Sequence, residues 1–408
     1  MKTGGPLRDL SAKTAFRFIV LMGVISLLAD MTYESARSLN GEFLHFLGAS
    51  AAAVGIAAGA GELLGYGLRF FTGLVADRTR RYWLIVFLGY GVNLLAVPAL
   101  SLAGRWEVAI VLMFAERIGK AIRNPARDAM LSHAASRTGT GRGFALHEAL
   151  DQIGAIAGPL VMGGIFLFKR GAAVGLGDFQ RNYALLIIPA FLALSVLTFA
   201  RFRYPKPSEL ESSAPRIAVK GFRPAYWWYL AGAALIGAGF ADFPLMAYHF
   251  GKKGLIEVGW IPILYSVAMA VDAGAALVLG RWFDRIGFPA IVASFGFSAF
   301  FAPLAFLGGR ELAVVGVILW GVGMGAQESI MKAAVSNLLP ADRRATGFGL
   351  YHTGFGVFWF LGSALMGVLY DLSPLALAAF STAAQLAAIP LILVAGRKCK
   401  RSLSGLND

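Results

Sequence analysis

Long apolar runs separated by short polar segments make up almost the whole chain. A run of about 20 apolar residues is the length that an α-helix needs to cross the hydrocarbon core of a bilayer. The sequence therefore predicts an all-α membrane protein with twelve transmembrane helices. We place them at 15–46, 50–75, 82–103, 107–130, 144–168, 182–201, 226–249, 257–281, 288–308, 311–334, 347–369 and 374–396.

The composition excludes a soluble globular protein. Hydrophobic residues make up 57% of the 408 residues and charged residues 15%, whereas about 25% charged is usual for soluble domains. The single cysteine, Cys399, excludes a disulfide framework and a cysteine metal site. The segment before the first apolar run is polar and basic, and no small-residue cleavage site follows that run. We therefore expect no cleaved signal peptide.

Lysine and arginine are distributed unevenly between the two sides of the predicted membrane. With both termini in the cytoplasm, 25 of the 37 Lys and Arg residues lie on the cytoplasmic side, 7 on the outer side and 5 inside the spans. Positive residues accumulate on the cytoplasmic side of membrane proteins. We therefore predict a multi-pass protein of the cytoplasmic (inner) membrane with both termini in the cytoplasm. The net charge of +14 then reflects topology, and we expect no nucleic-acid partner.

The two halves of the chain repeat each other. The polar segment 202–225, which contains Pro and Ser, is typical of a linker, so we predict two six-helix domains, 1–201 and 226–408. Parallel repeats of this kind occur in transporters. Three segments recur in order: GLVADR at Gly73–Arg78 as GRWFDR at Gly280–Arg285, GFALHEALDQIGAIAG from Gly143 as GFGLYHTGFGVFWFLG from Gly347, and LLAD ending at Asp30 as GFAD ending at Asp242.

The first recurring segment resembles a known family motif. Gly73–Arg81, GLVADRTRR, resembles the loop 2–3 motif of the major facilitator superfamily, G-x-x-x-D-R-x-G-R-R, except that Arg80 replaces a Gly. Gly280–Gly287, GRWFDRIG, is similar to the second copy of that motif. The resemblance covers essentially the whole chain and implies the major facilitator fold with alternating access. It also implies a gating role for the charges at these helix ends: Asp77, Arg78, Arg81, Asp284 and Arg285.

The fifth predicted helix carries a second resemblance. Gly154, Gly158, Pro159 and Gly163 lie in GAIAGPLVMGG, which is similar to the antiporter-associated motif G-x-x-x-G-P-x-x-G-G, with one extra residue before the final glycines. This resemblance implies the drug:proton antiporter-like branch of the superfamily.

Charged residues lie inside several predicted spans. Asp30, Glu34 and Arg37 are spaced i, i+4 and i+7 and so share one face of the first helix. The fourth helix has a similar stripe from Glu116 to Arg127. Charges inside a membrane are costly and usually functional. The candidates for proton coupling or substrate binding are Asp30, Glu34, Arg37, Glu62, Lys120, Arg123, Asp151, Asp242 and Asp272.

Three interpretations of these charges remain open. In the first, they form a salt-bridge network that braces helices 1, 2, 4 and 5, which we favour for Arg117 and for residues near the cytoplasmic end such as Arg127. In the second, Asp30, Glu34 or Glu62 exchanges protons, because burial and a movable cation have opposite effects on the proton affinity of a carboxylate.

In the third interpretation the charges contact a charged or zwitterionic substrate. Arg37, Lys120 and Arg123 would bind anionic groups, and Asp242 or Asp272 would bind cationic ones. The second and third interpretations are compatible, because one carboxylate can exchange a proton for a substrate.

Taken together, the sequence predicts a monomeric secondary transporter that exports a small organic solute in exchange for protons. Its partners would be the solute, protons and the lipid bilayer, without a cofactor or a resident metal. Alternatives are a proton-coupled importer, a transporter of a divalent metal or metal chelate with Asp30, Asp242, His249 and His352 as ligands, or a non-transporting membrane sensor. We expect no enzyme activity, because no nucleotide-binding loop, nucleophile elbow or helical zinc motif occurs in the sequence.

Overall fold

The computed structural model describes residues 6–138, 140–168, 174–205, 222, 224–339 and 344–404, and this part of the chain is helical without strands. A 3-10 turn, Leu100–Leu102, follows α3, and a π-helical turn, Gln327–Met331, joins α13 to α14. The α-helices are α1 Pro6–Phe46, α2 Ala51–Thr79, α3 Tyr82–Ala99, α4 Trp106–Thr138, α5 Thr140–Phe168, α6 Leu176–Leu185, α7 Ile187–Arg203, α8 Pro224–Gly239, α9 Phe243–Lys252, α10 Trp260–Ile286, α11 Phe288–Ser298, α12 Phe301–Leu307, α13 Arg310–Ala326, α14 Lys332–Leu338, α15 Arg344–Leu372 and α16 Pro374–Ser404.

Singly or together with the helix that follows, most of these helices form segments that are long and apolar enough to cross a membrane. Eleven such spans occur among the described residues, the first at Lys13–Phe46 and the last at Pro374–Cys399. The remaining predicted span coincides with α4, whose charged stripe lowers its hydropathy. Helices suit lipid because all their backbone hydrogen bonds are made within the segment. The predicted all-α membrane fold class is confirmed.

By its internal contacts the chain divides into two compact units. The first unit comprises Met1–Ala36 and Leu68–Pro215, and the second comprises Arg37–Gly67 and Arg216–Asp408. The boundary lies inside α1 and inside α2, so 37–67 groups with the later helices. The division into 1–201 and 226–408 is based on the sequence repeat and stays a prediction. Most of its linker, 206–221, lies outside the described residues.

Left-handed backbone conformations occur at four described residues, and these four form pairs across the repeat. The φ angle is +85° at Gly48 and +59° at Gly254, which follow α1 and α9. It is +52° at Arg80 and +68° at Gly287, which follow α2 and α10. Gly254 lies 206 residues after Gly48, and Gly287 lies 207 residues after Arg80. Equivalent helices in the two halves therefore end at equivalent positions, each followed by a residue with a positive φ.

Close helix contacts repeat with the same spacing. Gly158 of α5 packs against Met31 of α1, and Gly362 of α15 packs against Ala238 of α8. A Cβ atom at either glycine would meet backbone atoms of the partner helix, so the small residue permits the close approach. Ala238 lies 207 residues after Met31, and Gly362 lies 204 residues after Gly158.

This spacing corrects the alignment of Asp30 with Asp242. Those two aspartates are 212 residues apart, whereas the turns and helix contacts give 207 at this point of the repeat. The structural counterpart of Asp242 is therefore Ser35, more than one helical turn from Asp30. The short LLAD and GFAD segments are similar in sequence but do not occupy equivalent positions in the two halves.

The seventh predicted span is interrupted between α8 and α9. The carbonyl oxygen of Gly239 accepts hydrogen bonds from Ser381 Oγ at 2.6 Å and from Gln385 Nε2 at 3.2 Å. The carbonyl oxygen of Ala241 accepts one from Trp320 Nε1 at 2.9 Å. Side chains thus replace the missing helical bonds, as irregular backbone inside a membrane protein requires. Discontinuous helices of this kind often line transport sites.

Two other predicted spans, 182–201 and 288–308, are also interrupted, between α6 and α7 and between α11 and α12. Each interruption lies just before a proline in the first turn of the following helix, Pro189 or Pro303. Proline has no N–H group and crowds the carbonyl four residues earlier, so the preceding helix ends there.

Candidate functional site

In the first unit, charged side chains of α1 and α4 lie close together. Glu34 on α1 and Lys120 on α4 form an ion pair, with 4.0 Å between Oε1 and Nζ. The same Nζ lies 3.8 Å from the centre of the Tyr33 ring. A cation over an aromatic face is attracted by the ring. Lys120 is therefore held loosely by a carboxylate and more closely by a ring.

Arg123, almost one turn after Lys120, is completely buried. The carbon of its guanidinium lies 4.3 Å from the centre of the Tyr90 ring on α3 and 5.8 Å from that of Tyr33. None of its three side-chain nitrogens has a hydrogen-bond acceptor among the described residues. Burying such a group is costly unless it is paired. The site therefore has N–H donors that the rest of the described protein does not use.

Acidic groups outnumber cations around Asp30. Oδ1 of Asp30 and Oδ1 of Asp151 on α5 are both buried and lack a hydrogen-bond partner within the described part of the chain. The charges that act most strongly on Asp30 are those of Asp151, Lys120, Glu34 and Arg123. Three carboxylates thus share this region with two cations. We call these five residues, Asp30, Glu34, Lys120, Arg123 and Asp151, the acidic cluster.

The second unit contains a separate ion-pair group on Arg37. Nη2 of Arg37 lies 2.8 Å from Asp242 Oδ1 and 3.2 Å from Glu62 Oε1, and all three residues are buried. Asp242 also accepts a hydrogen bond from the backbone N–H of Phe243 at 2.9 Å, where it caps the start of α9. One guanidinium therefore serves two carboxylates beside the interrupted helix.

The stripe predicted on the first helix is divided between these groups. Asp30 and Glu34 belong to the first unit, and Arg37 belongs to the second. Of the nine predicted residues, the structure gathers five in the acidic cluster and three, Arg37, Glu62 and Asp242, in the ion-pair group. Asp272 is buried in α10, where Gly325 of α13 packs against its backbone carbonyl.

Other charges of α4 have partners close to them. Asn93 Nδ2 donates to Glu116 Oε1 at 2.8 Å, and Arg117 Nε lies 3.3 Å from Glu116 Oε2. Arg127 pairs with Asp128 at 2.9 Å. Such local pairs are what the bracing interpretation predicts for Arg117 and Arg127.

The predicted gating and helix 5 residues lie at helix ends and in α5. Arg78, Arg81, Asp284 and Arg285 are exposed, and the side chain of Asp77 lies outside the described part. Within α5, Gly154 and Gly158 pack against α1, Pro159 lies inside the helix and Gly163 is buried.

Sequence reasoning missed the polar and aromatic residues that contact the charges of α4. Tyr33 contacts both Lys120 and Arg123, and Tyr90 covers Arg123. Tyr33 lies between Asp30 and Glu34 in sequence, and the polar pair Tyr90 and Asn93 is spaced i, i+3 in an otherwise apolar helix. That spacing puts the pair on one helix face and was the available signal.

The histidines named for a metal site have other contacts. His249 Nδ1 lies 2.8 Å from the hydroxyl of Tyr370, and the His352 ring stacks on Tyr66 with 5.7 Å between centres. Among the described residues, no three or more His, Cys, Asp or Glu side chains are grouped so that they could hold a metal ion.

Related sequences cover most of the chain. The family model described as Major Facilitator Superfamily matches residues 14–363 and 240–403. An uncharacterised protein of Mycobacterium tuberculosis is 40% identical over 372 residues, which cover 89% of this chain and 88% of that protein. An uncharacterised MFS-type transporter of Methanocaldococcus jannaschii is 25% identical over 372 residues, covering 87% and 89%.

Solved transporter structures share the fold. The nucleoside transporter NupG matches with a TM-score of 0.69 and 14% identity, over 93% of this chain and 98% of that one. A POT family transporter in complex with a thioalcohol-conjugated peptide matches with a TM-score of 0.74 and 13% identity, over 94% and 96%. The family resemblance predicted from the sequence motifs is confirmed: the chain belongs to the Major Facilitator Superfamily and is a multi-pass membrane transporter.

Proposed function

We propose that this transporter couples the uptake of protons to the export of a small organic solute, charged or zwitterionic solutes included. The observation that carries the proposal is the excess of carboxylates in the acidic cluster, with an unpartnered oxygen on Asp30. A proton taken up there, or a cationic group of a solute, balances the charge. Proton and solute can therefore compete for the same carboxylates.

Lys120 is suited to act as the movable cation of this cluster. Its contact with Glu34 is long, at 4.0 Å, and its other contact is the Tyr33 ring. A small shift of α4 relative to α1 would transfer Lys120 from one carboxylate to another. The carboxylate that loses its cation gains affinity for a proton, which links helix movement to proton binding.

Arg37 provides a second exchange point. Its guanidinium binds Asp242 and Glu62 at once. Protonation of either carboxylate leaves Arg37 paired with the other, so the buried cation is never left without a partner. We propose that a proton on Glu62 or Asp242 accompanies the conformational change between access states.

Arg123 is the residue we propose for binding an anionic group of the solute. A carboxylate or phosphonate would supply the acceptor that its buried N–H groups lack among the described residues, and such charge-assisted bonds are strong. A peptide carries such a carboxylate, and a POT family transporter of the same fold is described in complex with a thioalcohol-conjugated peptide, so peptides are a reasonable first class for screening.

The proposed direction, export, follows from the antiporter-like motif of α5. We also propose that the protein works as a monomer in the cytoplasmic membrane with both termini in the cytoplasm, which is the orientation that the Lys and Arg distribution favours.

The test uses purified protein in proteoliposomes with a trapped pH-sensitive dye. A panel of amino acids, dipeptides, nucleosides and organic cations is added under an imposed pH gradient. We expect at least one compound to cause proton flux that empty liposomes lack. The control variant Glu107→Gln removes the charge of an exposed carboxylate that pairs with Arg105, and it should show the same solute-dependent proton flux as the wild type. Solute movement that a protonophore does not affect would contradict proton coupling.

For the gate, we propose that Asp77 and its neighbours stabilise one access state through pairs at the helix ends. Asp77→Asn should then slow transport while leaving the amount of inserted protein unchanged. Transport at the wild-type rate by this variant would refute the gating role.

A further inference from the structure

A groove of about 480 Å³ lies on the first unit between α1 and the end of α7. Phe16, Val20 and Leu21 of α1 and Phe199 of α7 form its apolar wall. Arg17 and Arg203 stand beside these apolar side chains. Among the described residues, no acidic side chain lines the groove. It is separate from the acidic cluster, whose residues do not line it.

Tyr204 lines the groove and is held in place by aromatic packing and a hydrogen bond. Tyr204 is 8% exposed, and its ring lies 5.3 Å from the ring of Phe18 in an edge-on contact. Its carbonyl oxygen accepts a hydrogen bond of 3.0 Å from Trp83 Nε1 on α3. Aromatic packing and a buried hydrogen bond thus fix the end of α7 against α1 and α3. The groove is therefore a shaped feature of the fold and not a gap between loose side chains.

The two arginines lie at the ends of two candidate membrane spans. The candidate span of α1 begins at Lys13, one helical turn before Arg17, and the span containing α7 ends at Arg203. Lys13, Arg17 and Arg203 are all exposed. Within the part of the chain that the structure describes, neither Arg17 nor Arg203 has an acidic partner. Arg17 and Arg203 thus line an apolar groove at the ends of two candidate spans, where lipid headgroups would lie, and Lys13 is one turn before Arg17.

We propose that this groove binds one anionic phospholipid of the surrounding bilayer. The phosphate lies between Arg17 and Arg203, where two guanidinium groups can bind its oxygens. One acyl chain follows the apolar wall towards Leu21 and Phe199. Basic pockets between transmembrane helices are known to take such headgroups. A phospholipid is the occupant that matches both features, because it joins an anionic group to a long apolar chain at the right depth.

Charge complementarity selects the anionic lipid over the zwitterionic one. Phosphatidylglycerol carries a net negative charge that meets the cations bordering the groove. Phosphatidylcholine carries a trimethylammonium group that would be placed against the same arginines. The groove therefore prefers phosphatidylglycerol, and this preference requires the arginines.

The experiment is native mass spectrometry of protein released from nanodiscs that contain equal amounts of phosphatidylglycerol and phosphatidylcholine. We expect the wild type to retain phosphatidylglycerol selectively, and R17Q/R203Q to lose most of that selectivity. The matched control R105Q/R310Q removes two exposed arginines elsewhere in the chain and should retain the lipid as the wild type does. Equal retention of both lipids by the wild type, or unchanged selectivity in R17Q/R203Q, would overturn the proposal.

Two further measurements separate a lipid site from other occupants. Phe199→Ser should reduce retention, whereas Phe191→Ser, on the same helix and 67% exposed outside the groove, should not. Glycerol phosphate at millimolar concentration should not displace the lipid, and displacement would indicate a site for free phosphate. Arginine-dependent dimers in the same spectra would instead assign the groove to a second copy of the chain. A monodisperse size-exclusion profile for each variant confirms that it is folded.

Discussion

At the scale of single residues, buried ion pairs hold the intramembrane charges of this transporter in place. Arg37 is the clearest case, because two carboxylates depend on one guanidinium. Removing one partner of a buried pair leaves an uncompensated charge, which typically costs about 3–5 kcal/mol. Here the substitution of Arg37 would remove its pairs with both Glu62 and Asp242.

The Arg37→Gln variant is therefore expected to be strongly destabilised. Its apparent unfolding temperature in detergent should fall well below that of the wild type. Arg105→Gln breaks an exposed pair with Glu107 that water already screens, and its unfolding temperature should stay close to the wild-type value. Similar unfolding temperatures for the two variants would show that Arg37 is not bound as described.

The sequence predicted which charges share a buried helix face better than it predicted what they contact. Periodicity placed Asp30, Glu34 and Arg37 on one helix face, and all three are buried. It could not place Arg37 with Glu62 and Asp242, because contacts between distant helices are not encoded in the spacing along one helix. Tyr33 and Tyr90 were missed because aromatic residues are common in apolar spans and carry no charge signal.

At the scale of helices, the positions of turns and of close helix contacts identify the repeat more reliably than short sequence matches do. Arg80 is the informative position, because it has a φ of +52° where the equivalent residue of the second half is Gly287. A left-handed conformation costs a residue with a side chain roughly 1–2 kcal/mol, and glycine does not bear this cost. Glycine does lose more backbone entropy on folding, which lowers the free energy of unfolding by about 0.5–1 kcal/mol.

Arg80→Gly should therefore stabilise the protein, by up to about 1 kcal/mol. Arg81→Gly is the matched control, because it removes the same charge at a φ of −90°, where glycine brings only its entropy cost. We expect the unfolding temperature to rise for the first variant and to fall slightly for the second. A lower unfolding temperature for Arg80→Gly would contradict the turn geometry.

The packing of α5 on α1 gives a second prediction at this scale. A Cβ atom at Gly158 would lie 2.5 Å from the backbone oxygen of Met31, whereas one at Gly164 in the same helix would have no neighbour within 4 Å. Gly158→Ala should force the helices apart and cost about 1–3 kcal/mol.

Gly164→Ala is the control for that substitution, because it adds the same methyl group to the same helix. Thermal unfolding of both variants measures the difference, and we expect only Gly158→Ala to lower the midpoint. Equal midpoints would mean that α5 does not approach α1 at Gly158.

Apolar run length predicted the existence of the helices, because a bilayer requires spans of a fixed length. It did not predict their interruptions. The break between α8 and α9 depends on Ser381, Gln385 and Trp320, which are distant in sequence from the carbonyl groups that they satisfy. The prolines at 189 and 303 were available signals for the other two breaks.

At the scale of the whole molecule, the acidic cluster of the first unit and the Arg37 group of the second each contain more acids than cations. In the proposed mechanism, a proton on Asp30 drives solute accumulation. Coupling and the binding of an anionic solute at Arg123 are then separable, because the substitution Asp30→Asn keeps the size of the side chain and removes the charge that takes up the proton.

The measurement compares two modes of transport by Asp30→Asn in proteoliposomes, using an anionic solute that the wild type transports. Exchange of labelled for unlabelled solute at equal pH needs no net proton movement, whereas accumulation under a pH gradient does. We expect Asp30→Asn to retain exchange and to lose accumulation driven by the pH gradient. Accumulation by Asp30→Asn at the wild-type level would contradict it.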